Sequence, residues 1–281
     1  MFASDDVRNW TLGHWNPAIL VAPDLVLFVG TSALVALLGS RIAALTAAAW
    51  TTAVTIALGV YGLVEQEAGC GVVLMSIATL GTLAATATMW LGYLPTGWFF
   101  VGPFSFHVAD EAPGVRHLRR SLEQLVLFWT TFFVVVPLVV VVVERRLRQS
   151  WSGLDQESLR MAGAAIFALG SAAGLWSCVT MALRGKGTPL PAETARQLVI
   201  TGPYRFVRNP MAVAGLMQTT GVGLLVGSWM VIVTAVAGAL VWNVLIRPTE
   251  EADLADRFGE PYRQYAEHVR CWVPTSPRQG A

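Results

Sequence analysis

Two polar stretches flank the last apolar region of the sequence, and they carry the side chains best suited to chemistry. The first is residues 198–210, the second is residues 247–251, and the apolar region between them is Met211–Ile246. If that region folds as a helical hairpin, both polar stretches meet at one membrane surface. Arginines and carboxylates beside a helix start can form a pocket for a charged small molecule. The charged residues in question are Arg205, Arg208, Glu250 and Glu251.

The same charges have a second interpretation, as anchors at the membrane interface. Arginines at the ends of membrane spans extend toward the headgroups, and acids there pair with them. Spacing alone leaves both interpretations open. Local sequence is more specific: Gly202-Pro203 predicts a turn, and Asn209-Pro210 predicts that a helix begins at Pro210.

The elements that must position these residues are long apolar helices. Of 281 residues, 54% are hydrophobic and only 13% are charged, whereas roughly a quarter of a soluble domain is charged. Uncharged runs reach the ~20 residues that a helix needs to cross a ~30 Å hydrocarbon core, and a β-barrel would instead show short alternating segments. The four uncharged runs are Ile42–Val64, Cys70–Leu94, Leu125–Val143 and Met161–Leu183.

The sequence therefore predicts an all-α integral membrane protein with about seven transmembrane helices, a C-terminal helical hairpin and a cytoplasmic tail helix. Gly221, Gly223 and Gly227-Ser228 are predicted to interrupt the last apolar region and so divide it into the two hairpin helices. The predicted helices cover 18–40, 42–64, 70–95, 123–143, 160–183, 210–226 and 229–246, followed by a helical tail at 248–269.

The distribution of polar residues predicts two domains. Residues 1–122 would form an N-terminal membrane scaffold of three helices and a polar connecting segment, and residues 123–281 a catalytic core. Arginine placement predicts a cytoplasmic C-terminus, because most arginines then lie inside. The cluster Arg145–Arg148 would lie outside and argues against this orientation.

Nucleic-acid and metal sites find no support in the composition. The net charge of +1 gives no indication of nucleic-acid binding. Metal ligands are also missing as a set, because the four histidines are dispersed and the three cysteines have no zinc spacing. We therefore predict no nucleic-acid partner and no metal.

Three separated motifs together resemble the isoprenylcysteine carboxyl methyltransferase family. They are Gly202-Pro-Tyr-Arg-Phe-Val-Arg-Asn-Pro-Met211, then Glu250-Glu251-x-x-Leu254-x-x-x-Phe258-Gly259-x-x-Tyr262-x-x-Tyr265, and Trp272-x-Pro274. Upstream, Gly185-Lys-Gly-Thr-Pro189 and Leu198-Val199 are similar to the bacterial branch of these membrane methyltransferases. The resemblance covers roughly residues 159–274, with the order and spacing of the motifs kept.

The resemblance implies an S-adenosylmethionine-dependent methyltransferase of the inner (plasma) membrane with a cytoplasm-facing site. Its acceptor, lipophilic or small, would offer a carboxylate, thiol, amine or hydroxyl, and lipophilic acceptors would enter from the lipid bilayer. Arg208 and Glu251 are the expected catalytic residues, since an arginine can orient a carboxylate and a glutamate can bind hydroxyl or amino groups. The implied cofactor-binding residues are Leu198, Val199, Thr201, Gly202, Tyr204, Arg208, Asn209, Pro210, Glu250 and Glu251.

The sequence departs from the family pattern at three positions. Asn209 stands where many members have His, Ala212 where Tyr is usual, and Ala214 where Gly is usual. The missing Tyr removes a ring and a hydroxyl from the expected cofactor pocket. The aromatics of the tail motif have two interpretations: they form part of the interfacial aromatic belt, or they wall the pocket.

Two other functions compete with methyl transfer. Sterol-type membrane reductases look similar in their C-terminal half and use NADPH there. A transporter or non-enzymatic scaffold is the third possibility, but a transporter predicts polar groups near the bilayer midplane at broken helices. The apolar runs instead leave the polar residues at the membrane surface.

Overall fold

A computed structural model describes residues 5–92, 114–187 and 195–275, and these ranges contain helices and no β-strand. The all-α prediction is therefore confirmed. In chain order the helices are α1 (Asp5–Leu12), α2 (Pro17–Leu38), α3 (Arg41–Glu65), α4 (Gly69–Leu91), α5 (Gly114–Thr130, continuing through Thr131–Val135 into Val136–Arg146), α6 (Glu157–Gly185), α7 (Pro210–Val226), α8 (Trp229–Val241, continuing through Trp242–Ile246), α9 (Arg247–Phe258) and α10 (Glu260–His268).

Six helices in the described ranges are long and apolar enough to cross a membrane, and α7 is a shorter apolar helix. This agrees with about seven predicted spans and indicates a multi-pass membrane protein. Many large apolar side chains, such as Leu37, Ile42 and Leu127, are more than two-thirds exposed, as lipid-facing residues should be. The cytoplasmic position of the C-terminus stays a prediction.

The chain divides into two compact units. Unit 1 comprises Met1–Pro95 and Val142–Ser150, and unit 2 comprises Thr96–Val141 and Trp151–Ala281. The domain boundary predicted between residues 122 and 123 lies within unit 2 and stays a prediction. Part of the predicted connecting segment, residues 93–113, lies outside the described residues.

In unit 1, hydroxyl groups join α3 to α4. Thr51 and Thr82 share a hydrogen bond of 2.9 Å, and Thr55 and Thr79 share one of 2.7 Å. Within lipid, helices cannot associate by the hydrophobic effect, so small residues and interhelical hydrogen bonds hold them together. This threonine ladder explains why α3 and α4 stay paired.

In unit 2, glycines bring α6 and α7 together. A Cβ atom on Gly163 would lie 2.8 Å from the carbonyl oxygen of Gly221, and a Cβ on Gly221 would lie 2.8 Å from that of Gly163. Only hydrogen fits between the two backbones at this crossing. The prediction that Gly221 and Gly223 interrupt the hairpin is wrong, because both lie inside α7 and serve close packing.

The hairpin turns one residue after α7 ends. Gly227 adopts a left-handed φ of +66°, and the Ser228 side chain caps α8 by accepting a hydrogen bond from Val231 N at 3.2 Å. The predicted turn at Gly227-Ser228 is thus confirmed, with glycine required by the positive φ.

The tail is two helices where the sequence predicted one. Gly259, with φ +58° and ψ −134°, separates α9 from α10 in a conformation that favours glycine. The chain then returns to the loop before α7, where Arg208 N donates to Arg270 O (3.0 Å) and Thr275 N to Phe206 O (2.9 Å). This return brings the separated motifs into contact.

Candidate active site

The loop before α7 is shaped by two local signals. Gly202 has φ +62°, and a Cβ there would lie 3.0 Å from Thr180 Oγ1, so both conformation and space call for glycine. Asn209 caps α7, because its Oδ1 accepts a hydrogen bond from Ala212 N at 3.0 Å. Pro210 follows as the first helical residue, where no N–H is needed. The predicted turn and helix start are confirmed.

Glu251 is held between two arginines. Its Oε1 accepts hydrogen bonds from Arg208 Nη2 at 2.8 Å and from Arg247 Nε at 3.0 Å. Arg208 also donates through Nη1 to the carbonyl oxygen of Ala266 at 2.7 Å. Charge-assisted hydrogen bonds of this kind are stronger than neutral ones, so they fix the Arg208 side chain between the hairpin and the tail.

Arg205, predicted to share the pocket with Arg208, lies elsewhere. Its side chain is exposed, and its guanidinium lies 4.6 Å from the ring centre of Phe206. The 3₁₀ turn Gly202–Arg205 directs the two arginines to different environments. The exposed position of Arg205 agrees with the second interpretation, in which this arginine is an anchor at the membrane interface.

Asn243 extends this network, and sequence reasoning missed it. Its Oδ1 accepts hydrogen bonds from Arg247 Nη1 and from Trp272 Nε1, both at 2.9 Å. A signal was available, since Asn243, Arg247 and Glu251 are spaced by four residues and so share one helix face. The Trp272 motif thereby ties the end of the chain to the hairpin.

These groups line a cleft of about 910 Å³. Seven of the ten predicted cofactor-binding residues contribute to its wall: Leu198, Val199, Tyr204, Arg208, Asn209, Glu250 and Glu251. Thr201, Gly202 and Pro210 do not line it, although the last two shape the turn. What each residue binds stays a prediction.

Residues outside the predicted set also line the cleft. Phe258, Tyr262 and Tyr265 do so, which favours the pocket-wall interpretation of the tail aromatics over the aromatic belt. Further residues of the cleft wall are Met181, Met211, Trp242, Arg247, Asp253 and Cys271.

The phenols and the thiol of the cleft are uncharged at neutral pH. Burial raises the pKa of Tyr204 and Tyr265 above the usual range, and it raises the pKa of Tyr262 to about 12. Burial also raises the pKa of the Cys271 thiol. Neutral aromatic walls next to the Arg208–Glu251 pair make the cleft suitable for a ligand with both flat apolar and charged parts.

Residues 159–261 match the family model described as phospholipid methyltransferase. This region is similar to that membrane methyltransferase family. It is the same family as that of the isoprenylcysteine carboxyl methyltransferases, so the resemblance is confirmed. No curated protein and no solved structure matches the chain. The matched region runs from α6 into α10 and includes the loop, the hairpin and the Glu250-Glu251 pair.

The methyltransferase region contains a buried polar atom that suits the implied cofactor. Arg208 Nε lies at the cleft, is buried and has no hydrogen-bond partner. A buried donor without a partner destabilises a protein by about 1–3 kcal/mol, and a ligand carboxylate would satisfy it. With Glu250 and Asp253 available for hydroxyl or amino groups, the residues present fit S-adenosylmethionine.

A second cavity, of about 960 Å³ and largely apolar, adjoins the cleft of the methyltransferase region. Asn209, Met211, Trp242 and Glu250 line both spaces, so they form a shared wall. Ala212, where the family resemblance led us to expect Tyr, lines this apolar cavity and not the cleft. The absence of a ring at this position therefore affects the apolar side of the shared wall.

Proposed function

We propose that the protein transfers a methyl group from S-adenosylmethionine to a lipophilic or small acceptor. The observation that carries this proposal is the shared wall, because it lets a polar cofactor in the cleft meet an apolar acceptor in the adjoining cavity. The family match supports methyl transfer. The acceptor would offer a carboxylate, thiol, amine or hydroxyl.

When bound, S-adenosylmethionine supplies a sulfonium methyl group that passes to the acceptor's heteroatom, while the electron pair of the broken carbon–sulfur bond stays on sulfur. The task of the protein is alignment, because an in-line displacement depends on proximity and orientation. Buried tyrosines and the Met211–Trp242 wall exclude water, which strengthens electrostatic interactions in the site. Glu250, on the shared wall, is placed to receive any proton that the acceptor releases.

We assign Arg208 the role of contacting a carboxylate through its buried Nε. Glu251 positions Arg208 and Arg247, since its Oε1 accepts from both. In this proposal the reaction depends on Arg208 and Glu251. Glu251 contributes by positioning the two arginines. The remaining residues of the predicted set would contact the cofactor through the cleft wall.

The cleft favours this cofactor over NADPH. NADPH carries several phosphates, which are usually bound by arginines or by helix N-termini. In the described lining, the arginines are Arg208 and Arg247, both paired with Glu251, and the buried Nε of Arg208 is left for one further anionic group. One such donor suits a single carboxylate better than several phosphates. A reductase remains the alternative that the first experiment must distinguish.

The test is calorimetric titration of detergent-purified protein with S-adenosylmethionine, S-adenosylhomocysteine and NADPH. We expect saturable binding of the first two ligands only. Arg208→Ala and Glu251→Ala should each weaken it at least about thirtyfold, because the first removes the donor proposed for the ligand carboxylate and the second removes the carboxylate that positions Arg208. Arg205→Ala removes an exposed arginine of the same loop and should change affinity less than twofold.

Two results would contradict the proposal. One is binding of NADPH without binding of S-adenosylhomocysteine, which would favour the reductase. The other is unchanged affinity in both Arg208→Ala and Glu251→Ala, which would place the ligand away from this cleft. A labelled methyl group that reaches lipid or thiol acceptors would complete the assignment.

A further inference from the structure

The apolar cavity has one wall outside the matched family region. Residues 159–261 supply α7 and α8, whereas α5 precedes them and contributes Ser121, Gln124, Leu125, Phe128 and Trp129. An aromatic cluster fixes α5 there: the ring centres of Phe133 and Phe167 lie 5.9 Å apart and perpendicular. This wall therefore lies outside the segment that carries the general methyltransferase features.

We propose that α5 selects the acceptor, and that Gln124 binds an acceptor whose reactive end is an amine or hydroxyl group on an alkyl tail. This inference rests on the proposed function and narrows its acceptor class. Three features of the cavity carry it: an unsatisfied amide oxygen, a described lining without a cation, and unfilled space beside α7.

The first feature is Gln124. Its side-chain Oε1 is buried and has no hydrogen-bond partner, although it lines a largely apolar cavity. Buried polar groups in folded proteins nearly always have partners, and an unsatisfied one is unfavourable. A ligand N–H or O–H that donates to Oε1 would supply the partner that the protein does not.

The second feature is charge. Among the described residues that line the cavity, no arginine, lysine or histidine is present. A carboxylate acceptor would therefore lack a cation to offset its desolvation. An alcohol or an uncharged amine needs no such partner, and it donates a stronger hydrogen bond than a thiol does.

The third feature is room for a tail. A Cβ atom on Gly215 would meet no atom within 4 Å, so the cavity is open at this point. Ala212, one turn earlier on α7, presents only a methyl group to the cavity. Between these two residues and the side chains of Phe128 and Trp129 there is apolar space suited to an alkyl chain.

The experiment compares three probes with the same tail: octylamine, octanol and octanoate. Each is titrated by calorimetry into the protein and into the same detergent alone, so that the heat of partition into micelles, which differs among the three probes, is subtracted. Gln124→Leu removes the amide at similar volume. Its matched control is Gln156→Leu, because Gln156 is exposed at the start of α6.

We expect octylamine and octanol to bind at least tenfold more tightly than octanoate. Gln124→Leu should weaken their binding about tenfold, by loss of one buried hydrogen bond, and Gln156→Leu should leave it unchanged. Ala212→Phe should fill the cavity and abolish binding of all three probes. S-adenosylhomocysteine binding in each variant shows that the fold and the cleft are intact.

Equal binding of octanoate and octylamine, or equal behaviour of Gln124→Leu and Gln156→Leu, would overturn this inference. Those results would leave the proposed function standing if S-adenosylhomocysteine still binds. If the wild-type protein fails to bind S-adenosylhomocysteine, the proposed function fails by itself, whatever the octyl series shows. The two failures are thus distinguishable.

Discussion

The helix pair α3–α4 in unit 1 and the pair α6–α7 in unit 2 meet the same physical problem in different ways. Lipid offers no hydrophobic drive for helix association, so close packing and hydrogen bonds must replace it. The first pair uses threonine hydroxyls that bond to each other across the interface. The second uses glycines, of which Gly163 and Gly221 let the two backbones touch.

The difference extends to the polar groups near each pair. In unit 1, the carboxylate of Glu67 accepts a hydrogen bond from Tyr61 at 2.7 Å and lies 2.6 Å from His14 Nδ1. In unit 2, buried atoms of Gln124 and Arg208 face cavities without partners. Polar groups in the first unit complete one another, whereas those of the second are available to a ligand.

The largest effect that we expect is at the glycine contact. Gly221→Leu should destabilise the protein by about 3 kcal/mol, because a side chain there collides with the backbone of α6. S-adenosylhomocysteine binding should weaken with it, since α7 carries Asn209 and Pro210. Unfolding in mixed micelles measures the first effect and calorimetry the second.

The matched control for this change is Gly238→Leu. Gly238 lies on α8, and a Cβ there meets no atom within 4 Å. Equal stability of the two variants would show that close packing at glycine does not stabilise the α6–α7 pair. The two helix pairs would then not differ in the way that we describe.

The next effect concerns the network of Asn243. Asn243→Leu leaves Trp272 Nε1 and Arg247 Nη1 without their acceptor, a loss of about 1–3 kcal/mol. We expect S-adenosylhomocysteine affinity to fall about tenfold by the same reasoning. Asn243→Asp restores an acceptor oxygen and should recover most of the affinity. Failure of this rescue would mean that packing, and not the acceptor oxygen, explains the effect.

A smaller effect is expected in the threonine ladder. In a double-mutant cycle of Thr55→Val and Thr79→Val, the coupling energy should be about 0.6 kcal/mol, as is typical of hydrogen bonds between membrane helices. Ligand affinity should stay the same in all variants. A change in S-adenosylhomocysteine binding would show that the ladder does more than pair α3 with α4.

The smallest effect is a pH dependence at the tail. Burial raises the pKa of Tyr262 to about 12, above the value of about 10 in an unfolded chain. The stability from its neutral phenol is therefore fully present below pH ~10 and lost as pH rises toward 12. Phenolate absorbance of wild type minus Tyr262→Phe should titrate near pH 12. A midpoint near pH 10 would show that Tyr262 is exposed to water.

Local features were predictable from the sequence because they depend on neighbours along the chain. The uncharged run Ile42–Val64 anticipates α3 within one residue at each end, and Asn209-Pro210 identifies the start of α7. The incorrect predictions concern glycines, because a glycine can either allow close packing inside a helix or end a helix. Gly221 serves close packing inside a helix, while Gly259 breaks the tail that periodicity alone predicts as continuous.

The sequence by itself determined the helices, their membrane character and the motifs that resemble a methyltransferase. These follow from bilayer thickness, backbone hydrogen bonding and short-range spacing. The tertiary structure decided which of those residues meet: Glu251 with Arg208, 43 residues away, Asn243 with Trp272, and Gln124 with a cavity that α7 and α8 also line. Periodicity shows which helix face is apolar but not which neighbour will cover it, because that choice depends on side-chain packing across distant segments.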